Sequence, residues 1–486
     1  MPDIRTDETI AAIATPVGEG GMSVLRVSGP GSFEVVGKIF HSTPHPNTLP
    51  VKGRRKAARR ASLARGRGEG LEKFPSHTIH LGEIRDEKGN AVDQVLVSLF
   101  RAPHSYTGED VIEVSSHGGI LVARRILDLL IQQGARHAEP GEFTKRAFMN
   151  GKIDLVQAEA VLDLIQAKSE RSLESAVSQL TGSLSQKLKV LKDSLMKMLA
   201  HMEARLDFPD EHLEVFTNKE FEAQFLHAEK EIRELLSTFK RGSILREGLT
   251  VVIAGKPNTG KSSLFNALLA RDRALVSEFP GTTRDVLEEA IEIDGIYLRL
   301  FDTAGLVPAA GHPLDQMSMD RTRRALREAQ LYLYIVDGSA ALDENDRRVF
   351  RELDRSRPVL VLVNKCDLPL RLDLQELKHV TEKEPLRISA KTQKEFDELH
   401  RKIADIILEG GIEKEGEQIT RLRHKNALEE SLAALLRARE AFVGQMPLEF
   451  VSVDLKAALD AIRELVGEIY SEELLDVIFA EFCVGK

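Results

Sequence analysis

The residues best placed to do chemistry run from Gly255 to Ser263, GKPNTGKSS. The spacing G-x-x-x-x-G-K-S describes a loop whose backbone N–H groups wrap phosphates, with Lys261 reaching the outer phosphates and the Ser262 hydroxyl on Mg²⁺. Three stretches follow in an order that suits one nucleotide site. Asp302, Thr303, Ala304 and Gly305 form DTAG, which suits water-mediated contact with Mg²⁺ and a Gly305 N–H on a terminal phosphate. Asn364, Lys365 and Asp367 form N-K-x-D. A carboxylate there accepts two N–H bonds from the Watson–Crick edge of guanine, whereas adenine leaves it unpaired. The turn Ile388–Thr392, with Ser389, Ala390 and Lys391, completes a base pocket by backbone N–H to the guanine carbonyl. Together the four motifs specify GTP rather than ATP. The candidate nucleotide contacts are these residues with Asn258, Thr259, Gly260, Lys261, Ser262 and Ser263 of the loop and Ser277, Thr282 and Thr283 of PGTTRD and its approach.

The residue after DTAG is Leu306, where signalling GTPases commonly place a water-orienting glutamine. An apolar side chain cannot orient water, so hydrolysis needs another charge. The Asn258 amide oxygen, with carbonyls from the stretch Ser277 to Thr282, makes a reasonable ligand set for a monovalent cation in place of an arginine finger.

These motifs need strands to carry them. Thr250–Ile253 precedes the loop as an apolar β-branched run, and SLFNALLA continues it with helical spacing. LEEAIEI and IYLRLFD flank Asp294-Gly295, a strong hairpin signal, and LYLYIVDG and VLVLVNKCD read as buried strands. The result is an α/β P-loop domain over 249–411.

The whole chain of 486 residues is too long for one core and points to about three domains. A net charge of −9 excludes a generally basic nucleic-acid binder, so any RNA contact must be local. Two cysteines, Cys366 and Cys483, exclude a disulfide framework, and MPDIRTDETI lacks the apolar core of a signal peptide. The expectation is a cytoplasmic protein without a membrane anchor.

Residues 1–150 alternate strand-like runs with helical patterns and read as an α+β domain. ETIAAIATP, MSVLRVSGP, VDQVLVSLF and DVIEVSS are expected strands, and SFEVVGKIF and GILVARRILDLLIQQG expected helices. A compositional break at about 41–77 includes a basic run without an acidic residue from Lys52 to Arg67. Two readings stand: a solvated loop, or an arm contacting RNA phosphates. From Leu155 the pattern is helical, and helical patterning resumes after 411, so 151–248 and 412–486 read as one bundle interrupted by the P-loop domain.

The stretches TIAAIATPVGEGGMSVLRVSGP, SYTGEDVIEVSSHGG, EPGEFTKRAFMNGKIDLVQAEAVLDLI and the terminal FCVGK, with the P-loop motifs, resemble the MnmE (TrmE) family of tRNA-modification GTPases along essentially the whole length. That resemblance implies a homodimer joined through the N-terminal domain, with GTP-dependent pairing of G domains. It implies a potassium-stimulated GTPase that works with the flavoprotein MnmG to add an aminomethyl or carboxymethylaminomethyl group to the wobble uridine of certain tRNAs. It further implies a formyl-tetrahydrofolate held by Arg26, Glu113, Lys152 and Lys486, although the residues by themselves favour ordinary ion pairs for Glu113 and Lys152. Potassium is assigned to Asn258, Ser277, the Phe279 carbonyl and Thr282, and Mg²⁺ to Ser262 and Thr283. The family's switch glutamate has no identical counterpart; alignment places Asp315 there, one methylene shorter, with Lys261 and Cys483 as the other catalytic candidates. An apolar-flanked cysteine is also an ordinary small core residue. The rival class is a regulatory or ribosome-assembly GTPase, an RNA-binding switch without chemistry of its own.

Overall fold

The computed structural model describes residues 7–16, 18–42, 71–207, 216–272, 288–302, 327, 329–408 and 418–486. The fold is multidomain: an α+β N-terminal portion, a discontinuous helical portion and an inserted α/β P-loop portion. Contacts divide the chain into two compact units, Met1–Leu162 with Val466–Lys486, and Asp163–Leu465. The limits expected at 248/249 and 411/412 therefore both fall inside the second unit.

The first unit is a seven-stranded sheet in the order β3-β4-β5-β6-β2-β1-β7, antiparallel except where β1 meets β7. Its strands are β1 (Ile10–Ile13), β2 (Met22–Ser28), β3 (Phe40–Ser42), β4 (Thr78–Arg85), β5 (Ala91–Phe100), β6 (Val111–His117) and β7 (Arg136–His137). Alternation along the strands sends Leu25, Val27, Val95, Val97, Ile112 and Val114 to one face. That face is covered by helix α1 (Ser32–Ile39) and helix α2 (Ile120–Gln132), through Phe33, Val36, Ile39, Ile126 and Leu130. The period of two places Arg26 and Glu113 on the opposite face, directly paired across β2 and β6. Ile79, Leu81 and Leu96 share that face and are 66%, 46% and 41% exposed.

β4 drew no expectation from the sequence pattern. In the fold a Cβ at Gly82 would lie 2.3 Å from the Phe40 ring, so the glycine serves close packing rather than a turn. Two short helices follow, α3 (Glu142–Met149) and α4 (Leu155–Gln166). The C-terminal helix Glu472–Ala480 packs on α3, with Lys145 Nζ 2.8 Å from Asp476.

In the second unit, α5 (Glu170–Leu180), α6 (Ser183–Asp207), α7 (Asn218–Ser237) and α8 (Phe239–Glu247) precede the nucleotide portion. The pair α7 and α8 lies within the expected helical portion 151–248, and a reciprocal cap between Thr217 and Glu220 starts α7. The nucleotide portion is a six-stranded sheet, order β13-β12-β11-β8-β10-β9. It contains β8 (Leu249–Ala254), α9 (Lys261–Asp272), β9 (Glu288–Ile293), β10 (Ile296–Asp302), β11 (Leu331–Asp337), α10 (Glu344–Glu352), β12 (Val359–Asn364), α11 (Leu374–Thr381), β13 (Leu386–Arg387) and α12 (Phe396–Leu408). All pairings are parallel except β9 with β10, the hairpin signalled by Asp294-Gly295, whose φ values are +50° and +75°. α13 (Leu422–Val443) and α14 (Leu448–Val466) return to the helical portion, and α13 packs on α7. Asp163 fixes the chain on both sides of the insertion: Arg246 Nε lies 2.8 Å and Arg421 Nη2 2.6 Å from its carboxylate. Among the described residues no helix is long and apolar enough to cross a membrane.

Candidate functional site

Every residue of β8 is buried, as a central parallel strand requires. The register puts Ile253 opposite Asp302 and Ala254 opposite Tyr334, so the loop after Ala254 emerges at the carboxyl ends of β8, β10 and β11. That edge is where open α/β sheets bind ligands. Two glycines shape the loop. A Cβ at Gly255 would sit 2.4 Å from the Ile335 carbonyl oxygen, and one at Gly260, where φ is +99°, would sit 2.2 Å from the Asn364 amide nitrogen. Asn258 takes a left-handed φ of +66°. Lys261, 6% exposed, donates from Nζ to the Gly255 and Lys256 carbonyls at 2.8 Å each. Its ammonium is therefore held over the loop, at the N-terminus of α9, with Ser262 and Ser263 exposed beside it.

The base-reading motif is bonded to the same loop. Asn364 is 3% exposed; its amide nitrogen donates to the Thr259 carbonyl at 2.9 Å, and its amide oxygen accepts from the Ala390 N–H at 2.9 Å. One side chain thus joins the phosphate loop to the turn at Ser389–Lys391. Lys365 Nζ donates to the Asn258 carbonyl at 2.9 Å and meets Asp337 at 2.5 Å. Burial alone would raise the Asp337 pKa, but the bonds from Lys365 and Ser339 hold it below the usual carboxylate value. The Ser389 hydroxyl donates to Asp367 Oδ1 at 2.6 Å and holds that exposed carboxyl low. Asp367 is thereby kept ionised, the form that accepts two N–H bonds from a guanine edge.

Sequence reasoning singled out Asn258–Ser263, Asn364, Lys365, Asp367 and Ser389–Lys391, and the bonds above link the loop, NKCD and the Ser389 turn. β10 ends at Asp302, one strand from the loop. Ser277, Phe279, Thr282, Thr283, Thr303, Ala304, Gly305, Leu306 and Asp315, with the basic run at 52–67, lie outside the described residues. Of the proposed Mg²⁺ ligands the described part holds Ser262, whose exposed hydroxyl follows Lys261 at the helix start; of the proposed potassium ligands it holds Asn258. Sequence reasoning passed over Lys256, Asp337, Asp343 and Asp346, which hold the loop from outside. The available signal was DEND, Asp343 to Asp346, a helix-capping pattern next to the nucleotide strands.

A second cluster lies in the first unit. Arg26 donates to Glu113 from Nε at 3.0 Å and Nη2 at 2.8 Å, with Nη1 3.5 Å from the Gly485 carbonyl. Its guanidinium lies over the rings of Tyr106 and Phe143, 4.9 and 5.6 Å from their centroids. The C-terminus reaches it because FCVGK interlocks with EPGEF. The Phe143 N–H donates to the Lys486 carbonyl at 3.1 Å, and Pro140 bridges to Val484. Gly485 has φ +99°, and a Cβ there would lie 2.5 Å from the Ile13 carbonyl. Burial, and then the Arg26 charge, push the Lys486 ammonium below the usual lysine range, with Glu113 opposing. Cys483 is exposed, contrary to the small-core-residue reading.

Lys152 stands differently. It donates to the Pro103 carbonyl at 3.0 Å and lines a cavity of about 480 Å³ whose lining includes Tyr470 and Glu468 but none of Arg26, Glu113 and Lys486. GEFTKRAF supplies structure: Arg146, fully buried, donates to Glu142 at 3.0 Å, to Glu109 at 3.1 Å and to the Glu8 carbonyl at 2.9 Å.

Comparison with known proteins adds the following. A family described as "MnmE helical domain" matches residues 155–483, and one described as "GTP-binding protein TrmE N-terminus" matches residues 9–152. The chain is similar to the tRNA modification GTPase MnmE of Alkaliphilus metalliredigens, 41% identical over 483 residues covering 99% of each chain. It is equally similar to that of Carboxydothermus hydrogenoformans, 41% identical with 99% of this chain and 100% of the relative covered. That of Pediococcus pentosaceus is 40% identical with both chains wholly covered.

Proposed function

The chain belongs to the MnmE family of tRNA modification GTPases, and from that premise we propose that it is a GTP hydrolase whose nucleotide cycle drives modification of the wobble uridine in certain tRNAs. The observation that carries the nucleotide half is Asn364, buried between the Thr259 carbonyl and the Ala390 N–H. It ties the phosphate cradle to the guanine pocket through one side chain. Bound GTP would draw Lys261 from the loop carbonyls onto phosphate oxygens. Ser262 and Thr283 would hold Mg²⁺, which supplies neutralisation of charge developing on those oxygens.

With Leu306 unable to orient water, we assign the missing charge to potassium on Asn258, Ser277, Thr282 and the Phe279 carbonyl, and water ordering to Asp315. Hydrolysis should run several-fold faster in potassium than in sodium; equal rates in the two salts would remove the cation from the scheme.

The modification half is placed at Arg26, Glu113 and Lys486, with formyl-tetrahydrofolate as cofactor and Cys483 beside it. The cluster suits that ligand: two crowded cations, one with a depressed pKa, gain from a carboxylate anion, while Glu113 can accept from a pterin's N–H edge. Lys152 joins it in this reading by reaching the anionic tail. The exposed Ile79, Leu81 and Leu96 on the same sheet face support pairing of two chains through the N-terminal unit. The partner is the flavoprotein MnmG. The chain alone should hydrolyse GTP yet modify no tRNA, and addition of MnmG should restore modification; full activity without MnmG would refute this division of labour.

A further inference from the structure

The second residue of the phosphate loop, Lys256, makes a contact that neither the sequence motif nor the nucleotide chemistry requires. Its Nζ lies 2.7 Å from Asp346 Oδ2 and 2.9 Å from Asp343 Oδ2. These two acids cap α10 reciprocally: the Asp343 side chain accepts from the Asp346 N–H at 3.0 Å, and Asp346 accepts from the Asp343 N–H at 3.1 Å. The α10 start is in turn fixed to the sheet, since the Tyr334 hydroxyl on β11 donates to the Asp346 carbonyl at 2.8 Å. The Lys256 and Asp346 side chains are 16% and 3% exposed, so the pair is partly withdrawn from water. Burial lowers the Lys256 pKa, but the two carboxylates outweigh it and keep the ammonium charged.

The main chain of the same residue carries the loop's chemistry. The Lys256 carbonyl accepts both the Lys261 ammonium, at 2.8 Å, and the Thr259 hydroxyl, at 3.0 Å. A side chain clamped to α10 therefore fixes the peptide on which the phosphate-binding lysine rests.

We propose that Lys256 is a positioning residue for nucleotide binding, holding the phosphate loop in its accepting shape through α10, and that Asp343 and Asp346 are its partners in that role. The inference rests on the GTP-binding reading above. Its effect belongs to loop geometry, so it should appear in nucleotide retention. Without the clamp the loop must be ordered by the nucleotide itself, which weakens binding.

The test is dissociation of fluorescent GDP from the full chain, with thermal unfolding as a control. Lys256→Met should release GDP about tenfold faster and raise the KM for GTP in proportion, with a smaller change in kcat. Lys256→Arg should restore the wild-type rate. Removing Lys256 leaves Asp346 buried without its cation, so the double variant Lys256→Met/Asp346→Asn separates positioning from simple destabilisation. Positioning leaves the double variant as fast in release as the single one, even as its melting temperature recovers. Asp343→Asn should give a smaller acceleration. An unchanged release rate in folded Lys256→Met, or full rescue by Asp346→Asn, would overturn the proposal. A wild-type chain that binds no guanine nucleotide would refute the underlying reading instead.

Discussion

The two clusters are built in opposite ways. Among the described residues the nucleotide site is already bonded together: the Asn364, Lys365 and Lys256 side chains meet loop carbonyls or flanking acids. The cluster at Arg26 is unfinished. Its two cations crowd one carboxylate, Lys486 sits below its normal pKa, and the neighbouring sheet face exposes apolar side chains. A preassembled site spends little binding energy on ordering itself and discriminates sharply. A cluster holding surplus charge and bare apolar surface waits for other material to complete it.

The largest effect should come from the scaffold of the unfinished cluster. Arg146→Ala would remove a fully buried guanidinium that donates to Glu142, Glu109 and the Glu8 carbonyl, leaving Glu142 to Arg136 and the Glu139 N–H, and should lower the stability of the N-terminal unit by about 3 kcal/mol, measured by denaturant unfolding. A loss under about 1 kcal/mol would show the network to be solvated and dispensable. Next is Asp367→Asn at the nucleotide site. It should weaken GTP binding by about a hundredfold or more and improve binding of the xanthine nucleotide, whose added carbonyl suits an amide donor. Equal affinity for both bases in the wild type would erase the contrast drawn above.

Smaller effects are expected at the second cluster. Arg26→Ala should reduce affinity for formyl-tetrahydrofolate by about tenfold in calorimetry while leaving GTP turnover intact. For Lys486 the sign follows from its lowered pKa. The folded protein holds this ammonium at a cost at neutral pH, and that cost is relieved as pH rises through the folded pKa, below the free-lysine value of 10.5. Stability should therefore gain in that window, while affinity for an anionic ligand falls there; Lys486→Met should flatten both profiles. The smallest effect on hydrolysis is expected from Cys483→Ser, because the thiol is exposed and remote in sequence from the phosphate loop. It should spare GTP turnover and reduce tRNA modification, whereas equal loss of both would indicate misfolding.

How much of this was legible in the sequence follows the same divide. Guanine reading could be inferred from Asp367 because each nucleotide motif is a short run at a strand end, where local spacing determines what the backbone presents. Arg26 and Glu113 are 87 positions apart and meet only through the pairing of β2 with β6. Composition and periodicity carry no trace of that register, and family resemblance alone pointed there. The Lys256 clamp escaped for a related reason: its acids lie on another element, 87 and 90 residues away. β4 drew no expectation either, and the close approach of the Phe40 ring to its Gly82 is a contact between elements that local pattern does not carry.

The most direct test is nucleoside analysis of tRNA from a strain lacking this protein, complemented with the wild-type chain, with Asp367→Asn, or with a chain lacking Cys483–Lys486. The wild type should restore the wobble-uridine modification and both altered chains should fail, while the purified shortened chain should still hydrolyse GTP. Restored modification by the shortened chain would contradict the assignment of the modification centre to the Arg26 cluster.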